Sequence, residues 1–139
     1  FLCFREIHAE LTISNIWKVS KEIPNSLSLM KFIAKLCCQT ALEHPVSCVR
    51  CQLYYTDELE HFMYKCLNNN ATFKRRFLLE QVSNDFNDNV SDLLNNVDRP
   101  RFTQYLLGRV DLQLCEILDV ELYPMFFICC AKFVKSLYC

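Results

Sequence analysis

A single glycine, Gly108, in a chain of 139 residues is the feature that most narrows what this sequence can fold into. Tight hairpin turns need φ > 0 at one or both central positions, and glycine is the residue that enters that region without steric cost. A many-stranded sandwich or barrel needs such turns repeatedly, so one glycine and four prolines argue against it. Helices joined by polar loops remain. With 52% hydrophobic and 22% charged residues the chain can fill one ordinary core. The expected fold is therefore mainly α, a single small helical domain or fragment over residues 1–139.

Apolar spacing and cap residues place the helices. Ile7, Leu11, Ile16 and Val19 form a stripe over residues 7–22 that Pro24 ends. Asn25 or Ser26 is expected to cap a second helix, with Leu29, Met30, Ile33, Ala34, Leu36 and Cys37 on its apolar side, stopped before Pro45. Asn68, Asn69 and Asn70 tolerate left-handed geometry and break the chain, and Thr72 is expected to cap a helix over residues 73–82. Residues 83–98, with four aspartates, five asparagines and no Lys or Arg, read as a loop around a short helix containing Val90, Leu93 and Leu94. Asp98-Arg99-Pro100 opens a helix through Phe102, Tyr105 and Leu106 that Gly108 can end. Asp111 then caps a long last helical region, bent or broken near Pro124. Beyond Leu122 its apolar residues occupy nearly every face, as in a core centre or a surface that belongs against a neighbour.

The chain begins at Phe1 and shows no basic segment followed by an apolar one, which reads as a fragment of a longer reading frame without a signal peptide. The most apolar window, residues 122–134, is shorter than the roughly 20 residues of a membrane span, so no membrane partner is expected. Ten cysteines, including the adjacent pairs Cys37-Cys38 and Cys129-Cys130 in apolar surroundings, then read mostly as buried thiols in a reducing cytoplasmic or nuclear setting. Net charge is −1, but residues 1–79 carry +3 and residues 80–139 carry −4. Any nucleic-acid contact must be local, because a whole-domain basic footprint is absent. One glycine also leaves no phosphate loop or nucleophile elbow, and the fragment is expected to be non-catalytic.

Chemistry concentrates in residues 46–70. Cys48 and Cys51 have the two-residue spacing that lets a tight turn aim two thiolates at one ion, and His61 and Cys66 follow within fifteen residues. Three sulfurs and one imidazole suit tetrahedral zinc, the alternative being buried free cysteines. His44 would take a ligand's place if the register differs. Thr56 is expected to cap a helix whose first turn holds Asp57, Glu58 and Glu60. His61 and Cys66 stand five apart, about 140° around an ideal helix, so that helix is expected to tighten or end before Cys66.

The run from Cys48 and Cys51 through Asp57, Glu58, Glu60, His61 and Phe62 to Cys66, followed by Arg75-Arg76-Phe77-Leu78, resembles a known family. The family it resembles is the zinc-binding tail downstream of reverse transcriptase in non-LTR retrotransposon polyproteins. Tyr105-Leu106-Leu107-Gly108 and Ala131-Lys132-Phe133-Val134 extend the likeness over roughly residues 28–134. That family often has proline after the first and fourth ligands, where this chain has Val49 and Leu67. The resemblance implies a role in holding element RNA or target DNA near the polymerase. Tyr55-Thr56-Asp57-Glu58 looks like the Y-x-D-D loop of reverse transcriptases, but two-metal chemistry needs further carboxylates on neighbouring strands, and none is visible.

Two functions follow as expectations. The first is a zinc knuckle that binds single-stranded RNA or DNA, with Arg50, Lys65, Lys74, Arg75 and Arg76 on phosphates and Tyr54, Tyr55, Phe62 and Tyr64 stacking on bases, core packing being the alternative for these rings. The second is a zinc-stapled or plain helical interaction module that docks on the remainder of a larger polyprotein through its C-terminal helix.

Overall fold

The computed structural model describes residues 9–138, with side chains from residue 15 onward. Of the stripe read over residues 7–22, Ile7 and the side chain of Leu11 lie outside the described residues. The described residues are mainly α-helical, as composition predicts. In chain order they form α1 (Ala9–Glu22), α2 (Leu27–Cys38), β1 (Val46–Ser47), β2 (Tyr54–Tyr55) and α3 (Glu58–Glu60). A π-helical turn (His61–Lys65) follows, then α4 (Ala71–Asp85), α5 (Asp88–Asn96), α6 (Arg99–Leu106) and α7 (Leu112–Cys115). A 3₁₀ turn (Val120–Leu122) leads into α8 (Tyr123–Ser136).

Helix α8 is the centre of the core. It packs on α1, α2, α4 and α6, and ten of its fourteen residues are buried. A helix that is apolar all round must be covered on all sides, and here the chain's own helices cover it. Phe126 meets Phe86 edge-on at the end of α4, and Phe133 meets Phe102 of α6. Met125 is the one large hydrophobic residue of α8 left exposed. The C-terminal apolar run is thus core rather than an outward face.

Several local expectations shift. Ser26 does precede α2, but its buried hydroxyl donates to the carbonyls of Val19 and Ile23 instead of capping α2. It closes α1 and sets the turn between the two helices. Thr72 lies inside α4, which starts after Asn70 in the left-handed conformation (φ 52°). The Asn-rich stretch 83–98 is mostly helical rather than a loop: α4 continues to Asp85 and α5 takes Asp88–Asn96. Asn87 caps α5 and ties it to the α7 end, since its Oδ1 accepts from Val90 N–H at 2.9 Å and its Nδ2 donates to Ile117 O at 2.8 Å.

Asp98 and Asp111 cap as expected, accepting from Arg101 and Leu114 N–H groups at 2.9 and 3.0 Å. The last region, however, is not one long helix, because α7 ends at Cys115. Pro124 sits in the first turn of α8, where a missing N–H costs nothing, so it starts the helix rather than bending it. Gly108 has φ 114°, and its carbonyl receives Asn15 Nδ2 and the Tyr123 hydroxyl, joining α1, the α6–α7 loop and α8. No described helix is long and apolar enough to cross a membrane.

Candidate metal centre

The knuckle is built by a minimal hairpin. β1 and β2 pair antiparallel, Val46 with Tyr55 and Ser47 with Tyr54, and Cys48 follows β1 directly. Cys48 N–H donates to Leu53 O at 2.8 Å and Gln52 N–H to Cys48 O at 2.9 Å, with Gln52 at φ 70° completing the reversal. The turn aims the Arg50 N–H at Cys48 Sγ, 3.4 Å away. Two-residue spacing thus brings Cys48 and Cys51 to one side.

The second ligand pair is placed by a change of helix type. Asp57, not Thr56, is the cap, its Oδ1 accepting from Glu60 N–H at 3.1 Å. After one turn of α3 the backbone widens at His61 into the π turn, closed by Cys66 N–H donating to His61 O at 2.7 Å. The expectation of tightening is therefore reversed. An i→i+5 bond widens the turn beyond the 3.6 residues of an α-helix, so positions five apart come closer to the same side. Widening is what lets His61 and Cys66 face one point.

The four groups converge. Cys48 Sγ lies 3.9 Å from Cys66 Sγ, and Cys51 Sγ lies 3.3 Å from His61 Nε2. All four ligand atoms fall within 4.8 Å of one another, and together they can hold one metal ion. Cys48, His61 and Cys66 are buried and Cys51 is half-buried. His44 is exposed and stands outside the cluster. Burial works to raise the Cys48 thiol, but the N–H groups of Cys51 and Arg50, with the His61 and Cys51 side chains, outweigh it and bring it down to about 6. Cys66 moves the other way, raised by burial first and then by the neighbouring Cys51 and Cys48. One sulfur is thus ready to ionise while its neighbour resists a second negative charge, an imbalance that a cation at the centre relieves.

The predicted nucleic-acid residues divide. Arg50 turns inward: its guanidinium donates to Asn69 Oδ1 and to Leu137 O and lies 4.9 Å from the centre of the Phe62 ring. Phe62 is buried, edge-on to Tyr138 at 4.9 Å. Tyr55 is half-buried and stacks on His61 with centroids 4.9 Å apart. None of these three is presented as a free contact surface. Lys74 Nζ donates to Ser136 O at the end of α8. Lys65 is exposed and pairs with Glu60 at 3.3 Å.

Lys65, Arg75 and Arg76 do come together, in an open groove of about 520 Å³ beside Cys66. Arg99, which the sequence reading missed, joins them there. The Arg99 guanidinium lies 4.6 Å and that of Arg75 5.7 Å from the centre of the Tyr64 ring. None of the groove's lining residues is acidic. Asn69 was missed too; its buried side chain accepts from Arg50 and donates to Phe62 O at 2.7 Å, fastening the knuckle from beneath.

No family model matches the chain, and neither curated proteins nor solved structures include a match to it.

Proposed function

We propose that the chain is a zinc-knuckle module that binds single-stranded RNA or DNA and has no catalytic activity of its own. The observation that carries this reading is the cationic groove beside Cys66, which Lys65, Arg75, Arg76 and Arg99 line and where Glu60 offsets Lys65 alone. A phosphate backbone is the ligand such a face attracts, and side chains near one another can follow successive phosphates.

Zinc fits the donor set. Thiolate bonds of about 2.3 Å to a tetrahedral ion put sulfurs about 3.8 Å apart. The 3.9 Å sulfur–sulfur and 3.3 Å sulfur–nitrogen separations match that scale, and the widest, 4.8 Å, needs only a small contraction. When bound, zinc would supply a cross-link between the hairpin and the π turn. Cys48, Cys51, His61 and Cys66 would fill its four positions and leave none for substrate, which makes the site a staple. The resemblance to the tail of retrotransposon polyproteins agrees with this role, in a cytoplasmic or nuclear setting.

Two measurements test the reading. Native mass spectrometry of the purified chain should show one zinc that a chelator removes. Replacing Arg75 and Arg76 together by glutamine should weaken binding to single strands of all sequences by a similar factor and flatten the salt dependence by about one to two units of slope. A parent protein that binds neither RNA nor DNA at about 50 mM salt, where electrostatic attraction is strong, would overturn the nucleic-acid reading.

A further inference from the structure

Of the exposed aromatic side chains, Trp17 of α1 and Tyr54 of the hairpin do not line the cationic groove, whereas Phe73 lines it and Phe77 stands beside Phe73 on α4. Phe73 is 67% and Phe77 62% exposed, a large apolar surface to leave in water. They stand four apart on α4, hence on one face and about 6 Å apart along its axis. With Cys129 and Phe133 of α8 they line a second groove of about 340 Å³, at whose edge Lys132 is exposed. None of that groove's lining residues is acidic. Phe73 also lines the cationic groove, so the two grooves meet at its ring.

We propose that Phe73 and Phe77 are the base-stacking platforms of the nucleic-acid site: the backbone of a single strand follows Lys65, Arg75, Arg76 and Arg99 while its bases turn over Phe73 onto Phe77. This rests on the nucleic-acid reading of the cationic groove. Continuity at Phe73 and the excess of cations over the one carboxylate paired with them, Glu60 on Lys65, select the occupant, because an anionic polymer with flat apolar faces complements both halves of the surface at once. Every base has a π-face, so the contact tolerates any sequence. Of the positions predicted from sequence for this task, Phe62 is buried against Tyr138, Tyr55 lies on His61 and Tyr64 carries the Arg75 and Arg99 guanidinium groups, while Tyr54 is exposed but lines neither groove.

The test uses the zinc-loaded 139-residue chain. Its probes are an oligothymidylate of about twelve nucleotides and an abasic strand of equal length and charge. The parent should prefer the strand with bases. Phe73→Ala with Phe77→Ala should weaken oligothymidylate binding by about tenfold or more, leave binding of the abasic strand and the salt slope unchanged, and so abolish the preference. Phe73→Tyr with Phe77→Tyr should retain it, which separates stacking from folding, as should unchanged thermal melting of the alanine variant. An alanine variant that keeps the parent's preference would overturn the stacking proposal while leaving the cationic groove intact; this is the result expected if the two rings serve an acidic protein segment instead. A parent that binds neither strand would overturn the underlying reading as well.

Discussion

Arg50 shows how a residue between two ligands can be read for the wrong partner. Its place between Cys48 and Cys51 and its positive charge point to a phosphate, yet its guanidinium is spent on Asn69 and on Leu137 O at 2.6 Å, across the ring of Phe62. Asn68 Nδ2 donates to the carbonyl of the same residue. The consequence is a strut from the knuckle to the end of α8. Hydrogen bonds from a charged donor contribute about 1.5–3 kcal/mol, so Arg50→Ala should destabilise the zinc-loaded protein by roughly that amount. Urea unfolding reads the loss. The salt slope of single-strand binding should stay as in the parent; a slope lowered by about 0.7 with unchanged stability would put Arg50 on a phosphate instead.

At the scale of the element, the π turn decides whether the metal centre exists. With regular α-helix, His61 and Cys66 would diverge by about 140°, and only the wider turn closed by Cys66 N–H and His61 O reunites them. Chain length through this turn is therefore more critical than its side chains. Inserting one alanine between Lys65 and Cys66 should lower zinc affinity more than tenfold. Deleting Lys65 should do less harm, because a spacing of four puts both ligands on one face of an ordinary α-helix. Competition with a chromogenic chelator measures both variants, and equal losses would show that the turn is not what sets the ligand geometry.

The whole molecule has no separable finger. Phe62 packs on Tyr138, Arg50 reaches Leu137 O and Lys74 reaches Ser136 O, so three contacts join the knuckle and the start of α4 to the C-terminal end of α8. Metal removal should therefore propagate along this seam. Hydrogen exchange after chelation should rise in residues 46–70 and, together with them, in residues 134–138. Helix α5 should change less, since Val90, Leu93 and Leu94 bury its apolar face and its main contacts are with α4 and α6. A rise confined to residues 46–70 would mean that the seam carries no coupling.

What the sequence determined by itself rests on short-range chemistry, although not every cap followed from it: Ser26, Thr56 and Thr72 stand near helix starts without capping them. One glycine and the apolar periodicity exclude a β architecture, Asp98 and Asp111 mark helix starts, and the four residues that could hold a metal ion are all named by spacing within nineteen residues. Such features depend on neighbours a few positions away, whose geometry the backbone limits. The tertiary structure alone decided which aromatic and basic side chains meet solvent. Phe62 is buried because Tyr138 and the Arg50 guanidinium cover its ring, and Arg99 reaches the groove because α6 brings it to Tyr64, 35 positions earlier in the chain. Phe73 and Phe77 share a helix with buried Leu78 and Val82, and nothing in their own stretch tells which rings α8 will cover. Exposure is set by long-range packing, and residues far apart in sequence supply it.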